Sequence, residues 1–386
     1  MKKLIICYGP ERSGKTSFSK TKTNYTRIRF DDYWRQRDYS PATKSHGFDY
    51  VKLQSDLIST FSKSEKVILD GWMRWDELHS VLKEVQKVTS AEICIYLIVT
   101  NVVAMADRRI QEIEKKKLVV TPRQNYEMYK VALKYVQNFP YPSFVLNNNN
   151  LDYSRISSTI TPEDFEKLCY PQINFEKADK FISGLGQLYH GIEVGTRKYG
   201  NFSHCEEVWK HISSKVNFVG KSVLDLGCYY GFFTFRAEEN MARKSVGYDI
   251  GGLVNSCNRI ARYKNSKSKF ENKDLDTLSI KEKWDTILVM NVLHHLNAPL
   301  QVLNEVFKSA NKSVVVGIDI PESPDLRSRR VVEVGGFLKR AQKGRGVPLW
   351  ISVPVLEEFA KEYGFKRVAH FNNSRKANRK LFIYSK

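Results

Sequence analysis

Val223-Leu224-Asp225-Leu226-Gly227-Cys228-Tyr229-Tyr230-Gly231 is a short apolar run that ends in a glycine-bearing turn, and the helix-like segment Phe232 to Asn240 follows it. A strand entering such a turn and then a helix opens an α/β unit, in which Gly227 and Gly231 let the backbone approach a ligand closely. Asp225 stands where it can fix an amino group or its water. Asp249 ends the next apolar run, Ser245 to Tyr248, at the place where an acid can hold a pair of ribose hydroxyls. A dinucleotide site of the G-x-G-x-x-G kind is disfavoured because its third glycine is missing.

Working outward, Asp274 and Asp276 fall at the end of a third strand, where an adenine could be met. Trp284 to Leu296 reads as a fourth strand and its exit turn, carrying His294 and His295 toward the same cleft. Adjacent histidines project in different directions, so they do not read as a zinc site. Either can take a proton from a hydroxyl acceptor near neutral pH; packing in the cleft wall is the plainer alternative. Further strand patterns at Ser313 to Ile318, Arg367 to Phe371 and Lys380 to Tyr384 complete a second α/β block.

An earlier block has the same alternation. Its strand patterns are Leu4 to Tyr8, Thr26 to Phe30, Val67 to Asp70, Ile93 to Val99 and Ser143 to Leu146. Asn147 to Asn150 and the polar residues through Thr161 read as a connection, and Thr161-Pro162-Glu163-Asp164 as a helix start. The expected domains are residues 1–172 and 173–386. The 386-residue length is too great for one ordinary core.

With 42% hydrophobic and 27% charged residues the chain is globular, and no apolar run reaches the roughly 18 residues of a membrane helix. The apolar start is too short for a signal peptide and runs into a turn, so a cytoplasmic location without membrane contact is expected. The 62 Lys and Arg against 42 Asp and Glu leave a net charge of +20, spread over both blocks, which suits a polyanionic partner or a solvated surface. Six cysteines without a C-x-x-C pair read as reduced, buried thiols.

Gly9-Pro10-Glu11-Arg12-Ser13-Gly14-Lys15-Thr16 fits G-x-x-x-x-G-K-[ST] directly between a strand and a helix. In such a loop backbone N–H groups surround phosphate oxygens, here from Gly9 through Ser13 and Gly14. Lys15 reaches the β- and γ-phosphates of ATP, and the Thr16 hydroxyl meets Mg²⁺. Asp31 and Asp32 follow the next strand, at an edge where a carboxylate can accept a hydroxyl proton. Asp70 has the same kind of address and could hold a metal-bound water; a helix N-cap is the alternative for each acid. Arg108 and Arg109, ahead of Lys115-Lys116-Lys117, read as a lid that neutralises transferring phosphate.

The first block resembles small P-loop kinases, most of all the 5′-hydroxyl polynucleotide kinases of bacteriophage type, on Met1-Lys2-Lys3, the phosphate loop, Arg29-Phe30-Asp31-Asp32-Tyr33 and Val67-Ile68-Leu69-Asp70. The resemblance implies Asp31 as general base and Arg108 or Arg109 as the lid arginine. Where that family has a basic residue after Asp-Asp-Tyr, this chain has Trp34 and then Arg35, which leaves a nucleoside or another small alcohol as an alternative acceptor.

The second block, from about position 175, resembles class I S-adenosylmethionine-dependent methyltransferases. The resemblance implies a Rossmann-like sheet, a first turn holding methionine and ribose (Asp225, Gly227, Gly231), and Asp249 on the ribose hydroxyls. Tyr189-His190-Gly191-Ile192-Glu193 and Leu224-Asp225-Leu226-Gly227-Cys228 are similar to the branch with wobble-uridine carboxymethyl-transfer enzymes and small-molecule methyltransferases. Cations at Arg327 to Arg330 and Lys339 to Arg345 form an insertion suited to a phosphorylated acceptor or a nucleic-acid backbone, with Trp350 available to stack on a base; a solvated loop is the alternative.

The expectation is a two-domain α/β transferase using ATP, Mg²⁺ and S-adenosylmethionine on a nucleic acid or nucleotide. Small-metabolite tailoring and a nucleotide-binding regulatory module are the alternatives. The acceptor atoms and the oligomeric state are not legible.

Overall fold

The computed structural model describes residues 1–10, 13–33, 48–71, 75–105, 122–149, 153–157, 159–320, 332–334, 349–372 and 379–386. Two compact units divide the chain, Met1–Pro171 and Gln172–Lys386. No helix among the described residues is long and apolar enough to cross a membrane.

In the first unit the described elements run β1 (Lys3–Tyr8), α1 (Lys15–Thr21), β2 (Thr26–Arg29), α2 (Tyr50–Lys63), β3 (Lys66–Asp70), α3 (Trp75–Thr89), β4 (Glu92–Val99), α4 (Pro122–Gln137), β5 (Ser143–Asn147), β6 (Ser154–Ser157) and α5 (Pro162–Cys169). The sheet order is β2-β3-β1-β4-β5-β6, parallel except for β6. Near-continuous apolar strands such as Leu4 to Tyr8 and Val67 to Leu69 are buried throughout, as central parallel strands covered on both faces must be. The chain reaches β3 and β4 on opposite sides of β1, so the loop after β1 opens where the sheet changes direction, the usual ligand position in open α/β sheets.

One part of the first block departs from expectation. Asn147 to Asn150 and the residues beyond do not form a plain connection, because Asn147 ends β5 and Ser154–Ser157 returns antiparallel to it. Ser-Arg-Ile-Ser carries almost no apolar alternation, so an edge strand of this kind leaves little trace in sequence.

The second unit opens with α6 (Phe175–Ser183), the hairpin β7 (Ile192–Val194) and β8 (Arg197–Tyr199), and α7 (Ser203–Ser213). It continues with β9 (Ser222–Leu226), α8 (Phe232–Glu239), β10 (Lys244–Asp249), α9 (Gly252–Lys264), β11 (Lys269–Asn272), β12 (Trp284–Met290), α10 (Pro299–Ser309) and β13 (Ala310–Asp319). The short pair β14 (Val332–Val334) and β15 (Leu349–Ile351) precedes α11 (Val353–Glu362), β16 (Lys366–Asn372) and β17 (Arg379–Ser385).

Its main sheet has the order β11-β10-β9-β12-β13-β17-β16, with β9 to β13 mutually parallel and β17 antiparallel to both neighbours. An antiparallel strand inserted beyond β13 separates this sheet from the all-parallel dinucleotide arrangement. Alternate residues feed two cores. Leu224, Ile287, Val289, Val314 and Val316 pack on one face, and Val223, Leu288, Val315 and Ile383 on the other. Each such side chain contributes about 1.5–3 kcal/mol by leaving water, which fixes the strand ends that carry the site.

Candidate functional site

In the second unit the site is built on the turn after β9. Gly227 adopts φ +69°, and a Cβ there would lie 2.5 Å from Val292 Cγ2, on the exit turn of β12. Only glycine satisfies both the left-handed backbone and that approach. The Gly227 and Cys228 N–H groups donate to Tyr248 O at 2.8 and 3.1 Å, tying the turn to the end of β10. Gly231 follows as the N-cap of α8.

Asp249 holds this turn from the neighbouring strand end. Its carboxylate accepts from the Tyr229 N–H at 2.7 Å and from the Ile250 N–H at 2.8 Å. Tyr229 itself has φ +52°, an uncommon conformation for a bulky residue and one that this acceptor stabilises. Burial raises the Asp249 carboxyl, while the Ile250 and Tyr229 N–H groups oppose the shift. Each carboxylate oxygen keeps a second acceptor site for a hydroxyl.

Asp225 lies beneath the turn. It is fully buried, and its Oδ2 accepts from Thr234 Oγ1 at 2.7 Å, stapling β9 to α8 across the turn. Its Oδ1 is buried with no hydrogen-bond partner. Burial pushes the group up to about 7, against the Thr234 hydrogen bond and with the charge of Asp249 adding. An unpaired acceptor beneath a tight turn fits a donor brought by a ligand, such as an amino group.

Asp274 is exposed and caps the turn Leu275–Thr277, its Oδ1 accepting from the Asp276 N–H. Asp276 is structural: it accepts from Asn297 N and Nδ2 and from Ala298 N, fixing the start of α10. His294 lies in the turn Leu293–His295 and is 7% exposed, its ring 4.1 Å from that of His295.

Sequence reasoning missed three features beside this turn. Asn291, with φ +56°, donates its N–H to Gly317 O and carries a buried Oδ1 with no hydrogen-bond partner. His190 packs edge-on to Tyr229 and Phe233, and burial, then His204 and Arg379, bring it down to about 4. A cleft is lined by His204, His211, Asn291, Phe371 and Arg379 among others. Arg379 is held there by Asp319, its Nε 2.7 Å from Oδ1, and His211 stacks on Phe371 at 4.0 Å. A left-handed asparagine and pairings between distant strands have no local sequence signal. The basic insertion at 327–330 and 339–345 lies outside the described residues, and nothing is known of the Trp350 side chain.

In the first unit the loop after β1 is drawn in by β5. Gly14 has φ +96°, and a Cβ on it would fall 2.2 Å from Asn148 Nδ2, which donates to Ser13 O at 3.0 Å. Gly9 begins the loop beside buried Ser13. Lys15 Nζ donates to Pro10 O at 2.7 Å. Asp31 is exposed in the turn Phe30–Tyr33, with Arg29 at 3.8 Å. Asp70 ends β3 with its Oδ2 accepting from Ser19 Oγ at 2.6 Å and from Arg27 Nε at 2.7 Å. The lid residues Arg108 and Arg109, like Glu11 and Arg12, lie outside the described residues.

Residues 201–370 match the family described as a methyltransferase domain. Together with the turn after β9 this defines the class: the second unit carries a class I S-adenosylmethionine-dependent methyltransferase domain. Among curated relatives, a tRNA U34 carboxymethyltransferase of Campylobacter fetus is 35% identical over 108 residues, covering 27% of this chain and 38% of the relative. Another of that name, from Sulfurimonas denitrificans, is 30% identical over 105 residues, covering 27% and 36%. The matched segment thus spans well under half the length of these relatives. Magnesium protoporphyrin IX methyltransferase from Synechocystis PCC 6803, solved with S-adenosylhomocysteine, is 16% identical, covering 47% of this chain and 81% of that one at a TM-score of 0.37.

Proposed function

We propose that the second unit transfers a methyl or substituted methyl group from an S-adenosylmethionine-type donor to a nucleic-acid acceptor. The observation that carries this reading is the methyltransferase match over the segment where Asp249 holds the turn of Gly227 and Gly231. A sulfonium donor supplies the electrophilic carbon, so this chain's residues have chiefly to position and to shield. Gly227 and Tyr229 shape the bed, Asp249 meets the ribose hydroxyls, and Asp274 stands at the adenine side. Asp225 Oδ1 answers the amino group. The relatives' names give tRNA as the favoured acceptor. The cleft beside the turn carries Arg379, His204 and His211, polar groups that could meet an acceptor. His294 is the candidate to accept a hydroxyl proton from the acceptor.

For the first unit the proposal is nucleotide binding and phosphoryl transfer to a hydroxyl. Support comes from the full Gly9 to Thr16 motif after the central strand and from Asp31 on the exposed edge. ATP would lie against Gly9, Ser13 and Gly14, with Lys15 on its phosphates. Thr16 and Asp70 are both hard oxygen ligands within reach of a single cation, a position where Arg27 stands in, so the pair fits Mg²⁺. Asp31 would take the hydroxyl proton, and Arg108 or Arg109 would close over the phosphates. A nucleic-acid 5′-hydroxyl or a nucleotide is the favoured acceptor.

Mass spectrometry of RNA, DNA and nucleoside pools incubated with ATP and S-adenosylmethionine tests both halves. Mass gained on RNA, with the phosphate abolished by Lys15→Ala and the methyl by Gly227→Ala, supports the proposal. Gain only on free nucleosides, without salt-dependent RNA binding, favours small-metabolite tailoring instead. No phosphate gain on any alcohol, with nucleotide still bound, favours a regulatory nucleotide site.

A further inference from the structure

Arg27, on β2, had no role in the sequence reading. Its Nε lies 2.7 Å and its Nη2 2.6 Å from Asp70 Oδ2, and Nη2 also donates to Thr16 Oγ1 at 3.3 Å. One guanidinium therefore joins the loop hydroxyl to the strand-end carboxylate, the two groups that would face a divalent ion. Ser19 Oγ donates to the same carboxylate oxygen at 2.6 Å, so that with the Arg27 Nε–H both lone pairs of Oδ2 are engaged. The Asp70 side chain is only 6% exposed, so this pair is better sheltered than a surface ion pair.

We propose that Arg27 is a tethered competitor for the metal position of the first unit and so sets its divalent-ion requirement. This rests on the nucleotide-binding reading of that unit. A guanidinium and a hydrated divalent ion cannot share the gap between Thr16 Oγ1 and Asp70 Oδ2, since both need the same oxygen lone pairs. Binding of a metal–nucleotide complex turns Arg27 out of the gap, whereas free nucleotide leaves it in place. The guanidinium, unlike a lysine, cannot lose its charge, so the competition persists at every physiological pH. By linkage, whatever Arg27 gains from Asp70 is subtracted from metal affinity.

The test is ADP and ATP binding to the full-length protein, by calorimetry, across a Mg²⁺ series for wild type, Arg27→Gln and Lys15→Ala. Arg27→Gln is expected to lower the Mg²⁺ concentration at half-effect by about tenfold while changing metal-free binding less than threefold. An unchanged Mg²⁺ midpoint in a folded variant overturns the proposal. In the wild type, the Nε–H of Arg27 observed by NMR should be protected from exchange without metal and lose protection on adding Mg²⁺ and nucleotide. Protection that survives saturation also overturns it, and needs no variant to fold. If nucleotide does not bind at any Mg²⁺ concentration, or binds equally to Lys15→Ala, the underlying phosphate-loop reading fails and this inference falls with it.

Discussion

The carboxylate of Asp249 accepts a 2.7 Å hydrogen bond from the backbone N–H of Tyr229, so the acid ending one strand fixes the turn that follows the strand beside it. In the proposed site Asp249 is thus both the acceptor offered to a ligand and the brace of the turn on which that ligand would rest. Asp249→Asn removes the charge from both tasks. Affinity for S-adenosylhomocysteine should fall at least about tenfold, in the range of a lost charge-assisted hydrogen bond, and the Tyr229 amide should exchange faster. A calorimetric titration beside hydrogen-exchange mass spectrometry reads both effects.

Gly227→Ala forces a Cβ to within 2.5 Å of Val292 Cγ2 at φ +69°. The backbone alone costs about 1–3 kcal/mol, and Val292 must move besides. The variant should melt lower and lose cofactor binding. Adding Val292→Ala should return part of the stability but not the backbone cost, a positive coupling that a double-mutant cycle measures.

Two buried groups give opposite pH dependences. Asp225, raised to about 7, keeps a proton in the folded state that the unfolded chain has released, so it contributes stability below the ordinary carboxylate range that is lost as pH rises through about 7. His190, lowered to about 4, stays neutral where an unfolded histidine charges, so its contribution is present above about 6.5 and lost as pH falls toward 4. Relative to wild type, Asp225→Asn should gain stability as pH rises across that interval, and His190→Gln as it falls. Each effect is a few kcal/mol at most. Urea midpoints at about pH 4.5, 6 and 7.5 separate them.

Arg236 is a buried cation of the second unit, 2.9 Å from Glu193 and also paired with Glu206 and Glu239. Its side chain is 11% exposed, and it joins β7 and α7 to α8, the helix that leaves the cofactor turn. Arg236→Met takes this partner from all three carboxylates, although Glu239 keeps Lys264 at 3.2 Å, and breaking a buried set of this kind costs about 3–5 kcal/mol. Urea unfolding should show the loss directly; a change below about 1 kcal/mol would mean the carboxylates find water instead.

Much of the second sheet was legible because its strands are buried on both faces: Ser222 to Leu226 and Lys244 to Asp249 were bounded by apolar pattern and glycine alone. The turn residues Gly227, Gly231 and Asp249 stood out for the same reason, since their spacing is local. What escaped depends on contacts between distant segments. Arg27 reads as an ordinary strand cation until β2 is laid beside β3 and brings it to Asp70. Asn148, in a row of asparagines, looks like connection until its amide meets the Ser13 carbonyl across 135 positions of sequence. Asp225 was read as a ligand contact from its place in the motif, but its bond to Thr234 Oγ1, which staples the strand to the helix after the turn, had no local signal. The polar edge strand β6 and the hairpin of β7 and β8 are too short to imprint a period.

The turn of Gly227, braced by Asp249, is the proposed bed for an adenosyl sulfonium. The most direct measurement is a calorimetric titration of the full-length protein with S-adenosylhomocysteine, repeated on Gly227→Ala and Asp249→Asn. Saturable, equimolar binding that both substitutions weaken by at least about tenfold is the expected result. Absence of binding to the folded wild type, or equal binding to all three proteins, would contradict it.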